Sequence, residues 1–209
     1  MKHCIEGRQQ NIIDMLGHIT ENKIQGDILD IGVYEGYSAV LAMNALIFLK
    51  DVDRKIYLYD TFEGMPKPTL EDGDRINQLY EKQKNGAAPG ETGWVKCSLE
   101  KVKSHINTHS KYPKNNIVYI KGMVEDTLPS NPHQKIAYMR LDTDFYSSTK
   151  VELEYLYDKL EIGGVLIVDD YASKFAGCTK AVEEFFLSRG IRKNQFNLLT
   201  PCGMYFIKK

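Results

Sequence analysis

The sequence predicts an open α/β sheet of seven strands, five parallel and the last two an antiparallel hairpin, with helices on both faces. Three observations predict it. Apolar runs of strand length alternate with stretches of helical periodicity, the pattern of βαβ units whose strands pair in parallel. The first unit reads strand, glycine turn, helix, strand and acid. Two later runs each end in a pair of aspartates, as if they emerged on one rim.

The elements follow in order. Ile12, Ile13, Leu16 and Ile19 recur at helical spacing and predict a helix over 8–22. The run 27–31 (DILDI) ends at Gly32 and reads as a buried strand. An apolar helix follows over 37–50, and 55–59 (KIYLY) is a second strand, ending at Asp60. Residues 61–95 break the rhythm with Pro66, Pro68, Pro89 and glycines at 64, 73, 86, 90 and 93. They predict a lid insertion at 66–95 with one helix near 74–84, since loops this long in compact domains are mostly functional or mobile. The alternation then resumes: helix over 98–109, strand over 116–121 (NIVYIK), a short helix near 124–128 and strand over 135–141 (KIAYMRL). Helix over 147–160, strand over 164–168 (GVLIV) and helix over 177–189 follow. Residues 195–199 and 204–208 flank Pro201-Cys202-Gly203 as a terminal hairpin.

With 209 residues, the chain has the length of one domain at about 150 residues each, and 1–209 is read as a single domain. Lys and Arg number 27 against 28 Asp and Glu, a net charge of −1 that supplies no basic field for a nucleic-acid partner. Hydrophobic residues at 43% and charged residues at 26% exclude wholesale disorder. Cysteines at 4, 97, 178 and 202 show neither CxxC nor zinc spacing, which fits free thiols in a reducing compartment. No apolar stretch approaches the roughly 20 residues of a membrane span, and the N-terminus has no apolar signal region. A soluble cytoplasmic protein without a membrane partner is expected.

In such sheets ligands bind beyond the carboxyl ends of the strands, which directs attention to 32–38, 60–64, 122–126, 142–144 and 169–170. Asp30-Ile31-Gly32-Val33-Tyr34-Glu35-Gly36-Tyr37-Ser38 joins the first strand to its helix. Glycines at this junction let backbone pass close to a ligand. Their G-x-x-x-G spacing does not meet the dinucleotide fingerprint, which opposes a nicotinamide oxidoreductase. Glu35 and the absence of lysine disfavour a phosphate cradle. Asp60, ending the next strand, can accept both hydroxyls of a ribose. Singly, the glycines turn the chain and Asp60 caps a segment; together, at adjacent strand ends, they favour a nucleoside site.

Leu141-Asp142-Thr143-Asp144 and Val168-Asp169-Asp170-Tyr171 end neighbouring runs. Four carboxylates on one rim repel one another unless a cation neutralises them, and oxygen donors suit magnesium, calcium or manganese. An isolated LDTD reads instead as helix-capping acids before residue 147. The second pair beside it favours a metal. His105 and His109 share a helix face, read as solvated. Trp94, Tyr80, Phe62 and Met65 lie in or beside the lid, where they pack either on a ligand or on the domain.

The stretches DIGVYEGYSAV, YDTFEGMP, KGMVEDTLP, LDTDFYSSTKVELEYLYDKLEIGGVLIVDDY and CTKAVEEFF resemble the macrocin O-methyltransferase family, over about residues 27–187. The glycine turn and the acids are similar, more distantly, to catechol O-methyltransferase. The resemblance implies a class I methyltransferase fold, Rossmann-like. It also implies S-adenosylmethionine as cofactor and Mg2+ (or Mn2+), with methylation of a sugar hydroxyl on a glycosylated natural product or glycan.

Carried across by position, Asp30, Gly32, Tyr34, Gly36 and Ser38 would surround the methionine moiety and ribose. Asp60 would bind the ribose hydroxyls, Thr61 and Phe62 would lie along the adenosine, and Val124 and Glu125 would face the adenine. Asp142, Asp169 and Asp170 would ligate the metal, Asp142 also bordering the cofactor, and Asp144 would be the base. The expected partner is a small-molecule or glycan acceptor; self-association into a homo-oligomer is left open. Two rival readings use the same residues: a catechol or phenol O-methyltransferase, and a non-catalytic nucleoside- or glycan-binding module, against which the four acids count.

Overall fold

A computed structural model describes residues 2–84 and 94–209. In chain order the elements are α1 (Lys2–Glu21), β1 (Asp27–Ile31), α2 (Tyr37–Phe48), β2 (Ile56–Asp60), α3 (Asp74–Lys84), α4 (Leu99–His109), β3 (Ile117–Lys121) and α5 (Val124–Ser130). They continue as β4 (Ile136–Leu141), α6 (Tyr146–Leu156), β5 (Leu160–Val168), α7 (Ala176–Ser188), β6 (Asn197–Leu198) and β7 (Met204–Ile207). The sheet order is β3-β2-β1-β4-β5-β7-β6. Strands β1 to β5 pair in parallel, while β7 runs antiparallel to β5 and to β6. The expected seven-stranded, mostly parallel sheet with its terminal hairpin is the one found.

Both sheet faces are covered, so the strands are apolar on both sides. Alternate residues serve opposite layers. Ile28, Ile56, Leu58 and Tyr138 pack with Leu16, Ile19, Leu46 and Val102 under α1, α2 and α4. Leu29, Ile31, Tyr59 and Met139 pack with Leu128, Leu153, Val182 and Phe186 under α5, α6 and α7. The order reverses between β1 and β4, which both abut one another in parallel, and that is where a ligand crevice forms in such sheets.

Three boundaries differ from expectation. Helix α1 begins at Lys2 rather than at 8. The helix expected to 160 stops at Leu156, and a 3-10 turn (Tyr157–Lys159) leads on. Strand β5 begins at Leu160, not 164, because Gly163 and Gly164 lie within it rather than before it. The pairing slips there between Ile136 and Tyr138. A Cβ on Gly164 would stand 2.8 Å from the Glu161 carbonyl and 3.1 Å from that of Ala137, so the slip needs glycine.

Within the stretch expected to be a lid, α3 matches the helix expected near 74–84. Residues 85–93, with Gly86, Pro89, Gly90 and Gly93, lie outside the described residues. The described part is docked on the domain. Asp72 is 3% exposed and accepts hydrogen bonds from the Thr69 amide (2.7 Å), the Thr69 hydroxyl (2.9 Å) and the Tyr146 amide (2.7 Å). Trp94 packs against Tyr80, Phe145 and Phe175 at ring-centre distances of 6.1–6.4 Å. Among the described residues no helix is long and apolar enough to cross a membrane.

Candidate active site

A cavity of about 160 Å³ opens at the carboxyl ends of β1, β2, β3 and β4. Gly32, Tyr34, Asp60, Thr61, Val124, Glu125, Asp142 and Asp144 line it, with Tyr59, Met65, Thr143 and Ser148. A larger open groove of about 820 Å³ follows α7 from Ala172 to Phe196, but none of the expected site residues lines it. The expected site residues therefore gather at the smaller cavity.

The glycine turn is built by close approach. Gly32 has φ +88°, and a Cβ there would fall 2.1 Å from the Asp142 carbonyl oxygen. Only glycine lets the β1 turn lie against the end of β4. Gly36, φ 86°, caps α2. The Tyr34 amide donates to Asp60 Oδ2 at 2.8 Å, and the Phe62 amide to Asp60 Oδ1 at 2.7 Å. Burial pushes the Asp60 carboxyl up, while these amides pull it down. Tyr34, Phe62 and Asp144 are left-handed at φ 49°, 54° and 68°. Such strained non-glycine residues collect at functional sites, and here they mark turns around the cavity.

Not every expected cofactor residue reaches the cavity. The Phe62 ring is 2% exposed and sits in the layer under α2 and α4, so only its amide serves Asp60. Its left-handed backbone turns the side chain inward. Asp30 and Ser38 lie below the turn, where the Ser38 hydroxyl donates to Asp30 Oδ2 at 2.7 Å. Val124 and Glu125 begin α5 at the cavity wall, and the buried Glu125 Oε2 has no hydrogen-bond partner.

On the acidic rim, carboxylate oxygens of Asp142, Asp144 and Asp170 lie within 4.8 Å of one another. Asp169 is not brought into this group. Its Oδ1 stands 3.1 Å from Arg140 Nη2, and its Oδ2 accepts from Arg8 Nη1. Burial raises the Asp142 carboxyl well above the usual carboxylate range; Arg140 opposes this and the charges of Asp169 and Asp170 add to it. Burial and a hydrogen bond with Asp170 raise Asp144 likewise. Such crowded oxygen donors suit a hard divalent cation.

Sequence reasoning passed over several residues. Arg140 stands inside KIAYMRL, in a strand whose six residues are all buried. A buried arginine is almost always paired, and that was the available signal. Burial works against its charge, but Asp142, Asp169 and Asp30 hold it more firmly protonated than usual. Glu152 on α6 is 0% exposed and accepts from the Thr143 hydroxyl at 2.9 Å, behind Asp142 and Asp144. Arg8, whose Nη2 also donates to Cys202 Sγ, could be found only by knowing where α1 packs.

The sequence profile of the family described as Macrocin-O-methyltransferase (TylF) matches residues 3–208. The chain is 28% identical over 191 residues to the Mycinamicin III 3''-O-methyltransferase of Micromonospora griseorubida, covering 91% of this chain and 68% of that one. It is 30% identical over 180 residues to the 8-demethyl-8-(2,3-dimethoxy-alpha-L-rhamnosyl)-tetracenomycin-C 4'-O-methyltransferase of Streptomyces olivaceus, covering 85% and 64%. The chain thus spans about two thirds of the length of these relatives. Among solved structures, the O-methyltransferase NovP superposes with a TM-score of 0.84 at 27% identity, covering 97% of this chain and 80% of that one.

Proposed function

The chain belongs to the macrocin O-methyltransferase family, and on that premise we propose that it transfers a methyl group from S-adenosylmethionine to a sugar hydroxyl of a glycosylated natural product or glycan, aided by Mg2+ or Mn2+. One observation carries the proposal. A single cavity runs from Asp60 and Glu125, suited to a nucleoside, to Asp142 and Asp144, suited to a cation and a proton. The rhamnosyl group in one relative's name supports the sugar acceptor.

The residues divide the work. Asp60, oriented by the Tyr34 and Phe62 amides, keeps lone pairs for the ribose hydroxyls. The unpartnered Glu125 oxygen suits a donor such as an exocyclic amine of the base. Gly32 admits the methionine end. When bound, the cofactor supplies an electrophilic methyl group and the cation makes the hydroxyl more acidic. Asp142 and Asp170 would hold the cation, and Asp169 would complete the set once Arg8 releases it. Asp144, its pKa raised by burial and by Asp170, is suited to taking the hydroxyl proton. Alignment of the two reactants in the cavity supplies much of the remaining acceleration. No residue need form a covalent bond, and Cys97, Cys178 and Cys202 are free thiols among the described residues. A cytoplasmic location is part of this reading.

The test is calorimetric and chemical. S-adenosylhomocysteine should bind and NAD should not. Incubation with S-adenosylmethionine, Mg2+ and parallel panels of glycosides and catechols should add one methyl mass to a glycoside. A mass gain confined to catechols would replace the sugar by a phenol, and binding of NAD alone would overturn the cofactor.

A further inference from the structure

Arg140 touches three carboxylates drawn from three strand ends. Its Nη1 donates to Asp30 Oδ1 at 3.2 Å. Its Nη2 donates to Asp142 Oδ2 at 2.7 Å and stands 3.1 Å from Asp169 Oδ1. Asp30 in turn holds Ser38, in the first turn of α2, through its other oxygen. One buried, planar cation therefore bonds at one side to the acid beneath the glycine turn and at the other to two acids of the rim. Arg140 does not line the cavity, so it can act only through these neighbours.

We propose that Arg140 is a positioning residue that couples the two halves of the site, so that a divalent cation on the rim strengthens cofactor binding and the cofactor strengthens cation binding. The proposal rests on the reading of the cavity as a cofactor and metal site. A cation held on the rim would compete for the Asp142 and Asp169 oxygens that Arg140 now bonds, and its charge would repel the guanidinium. Arg140 then keeps Asp30 as its main partner, and the Asp30–Ser38 pair under the glycine turn becomes more firmly placed. A site already set in its binding geometry loses less on binding. Linkage makes the effect equal in both directions. A lysine cannot replace the fork, because a single ammonium on a flexible stem cannot bond Asp30 with one arm and the rim acids with the other, and so cannot pass a change at one to the other.

The experiment titrates S-adenosylhomocysteine into the wild-type protein, Arg140→Lys and Arg140→Met by calorimetry, once in saturating Mg2+ and once in excess chelator. Mn2+ binding to each protein is measured separately. The wild type should bind S-adenosylhomocysteine at least about fivefold more tightly with Mg2+, the lower end of ordinary coupling. Both variants should still bind S-adenosylhomocysteine and Mn2+, with the Mg2+ ratio falling to near one. Equal affinities with and without Mg2+ in the wild type overturn the proposal, as does a ratio that survives in the variants. No heat from S-adenosylhomocysteine in any condition overturns the cofactor reading beneath it, a distinct result. Should Arg140→Met fail to fold, Arg140→Lys, which keeps the charge, carries the comparison alone.

Discussion

The Asp72 carboxylate accepts a hydrogen bond from the Tyr146 backbone amide at 2.7 Å, across 74 positions of sequence. Tyr146 is the first residue of α6, whose opening amides have no partner within the helix. A Cβ on Gly177, near the start of α7, would fall 2.1 Å from Asp72 Oδ1. One buried acid thus sits at the positive ends of two helices and fastens the described part of the lid region beside the rim. Asp72→Ala should lower stability by about 1–3 kcal/mol, because it leaves a partly buried helix-start amide unpaired. It should also speed protease cleavage within 66–84. Asp72→Asn, which keeps an acceptor, should lose less. Chemical denaturation measures this, and an alanine variant as stable as the wild type would refute the fastening role.

His133 should make the protein acid-sensitive. The ring is buried, its Nε2 lies 2.7 Å from the Tyr59 hydroxyl, and the Tyr57 ring meets it edge-on at 4.6 Å. Burial lowers its pKa from 6.5 to about 4. The folded state therefore prefers the neutral ring, while the unfolded chain takes up a proton below pH 6.5. The stability that His133 contributes is present above pH 6.5 and is lost as pH falls toward 4. His133→Gln should flatten the fall in melting temperature between pH 7 and 5. Parallel pH profiles for both proteins would contradict this.

Glu152 works in the opposite sense. It is fully buried, its Oε2 has no partner, and burial raises its pKa well above the carboxylate range. Its contribution is complete below the unfolded carboxylate pKa of about 4.3 and is lost as pH rises through the folded value. Glutamine has the same shape and stays neutral. Glu152→Gln should match the wild type near pH 4 and become the more stable protein as pH rises. A difference independent of pH would show that Glu152 is not protonated in the folded state.

Much of the sheet and part of the candidate site were legible in the sequence, for a physical reason. An apolar run of strand length ends where the chain meets solvent, so Gly32, Asp60, Asp142, Asp144 and Asp170 could be placed at strand ends from local pattern. What is missing depends on long-range pairing. Nothing near Arg140 names Asp30, 110 positions away, as its partner. Nothing near Asp169 shows that Arg8, 161 positions earlier, occupies one of its oxygens. Phe62 is expected at the ligand only by carry-over from the family resemblance, yet its ring is buried in the core, with its backbone left-handed at φ 54°. Gly163 and Gly164 looked like a boundary, since a strand that slips its pairing gives the same glycine signal as a turn.

The Arg8–Asp169 ion pair makes a separate prediction about the rim. A guanidinium on Asp169 competes with any cation that uses the same oxygens. Arg8→Met should tighten Mn2+ binding severalfold, measured by the loss of the free Mn2+ resonance signal. Unchanged or weaker binding would mean that Asp169 takes no part in holding the cation.

Where the methyl group goes and what takes the proton can be followed in one reaction. The measurement is transfer from S-adenosylmethionine carrying a 13C-labelled methyl group, followed by NMR with a glycoside acceptor in Mg2+, in excess chelator, and with Asp144→Asn. The predicted result is a new methoxy signal correlated with a sugar ring proton, absent in chelator and slowed about 10²–10⁴-fold in Asp144→Asn. A methoxy signal on an aromatic ring, or transfer at full rate in chelator with Asp144→Asn unimpaired, would contradict it.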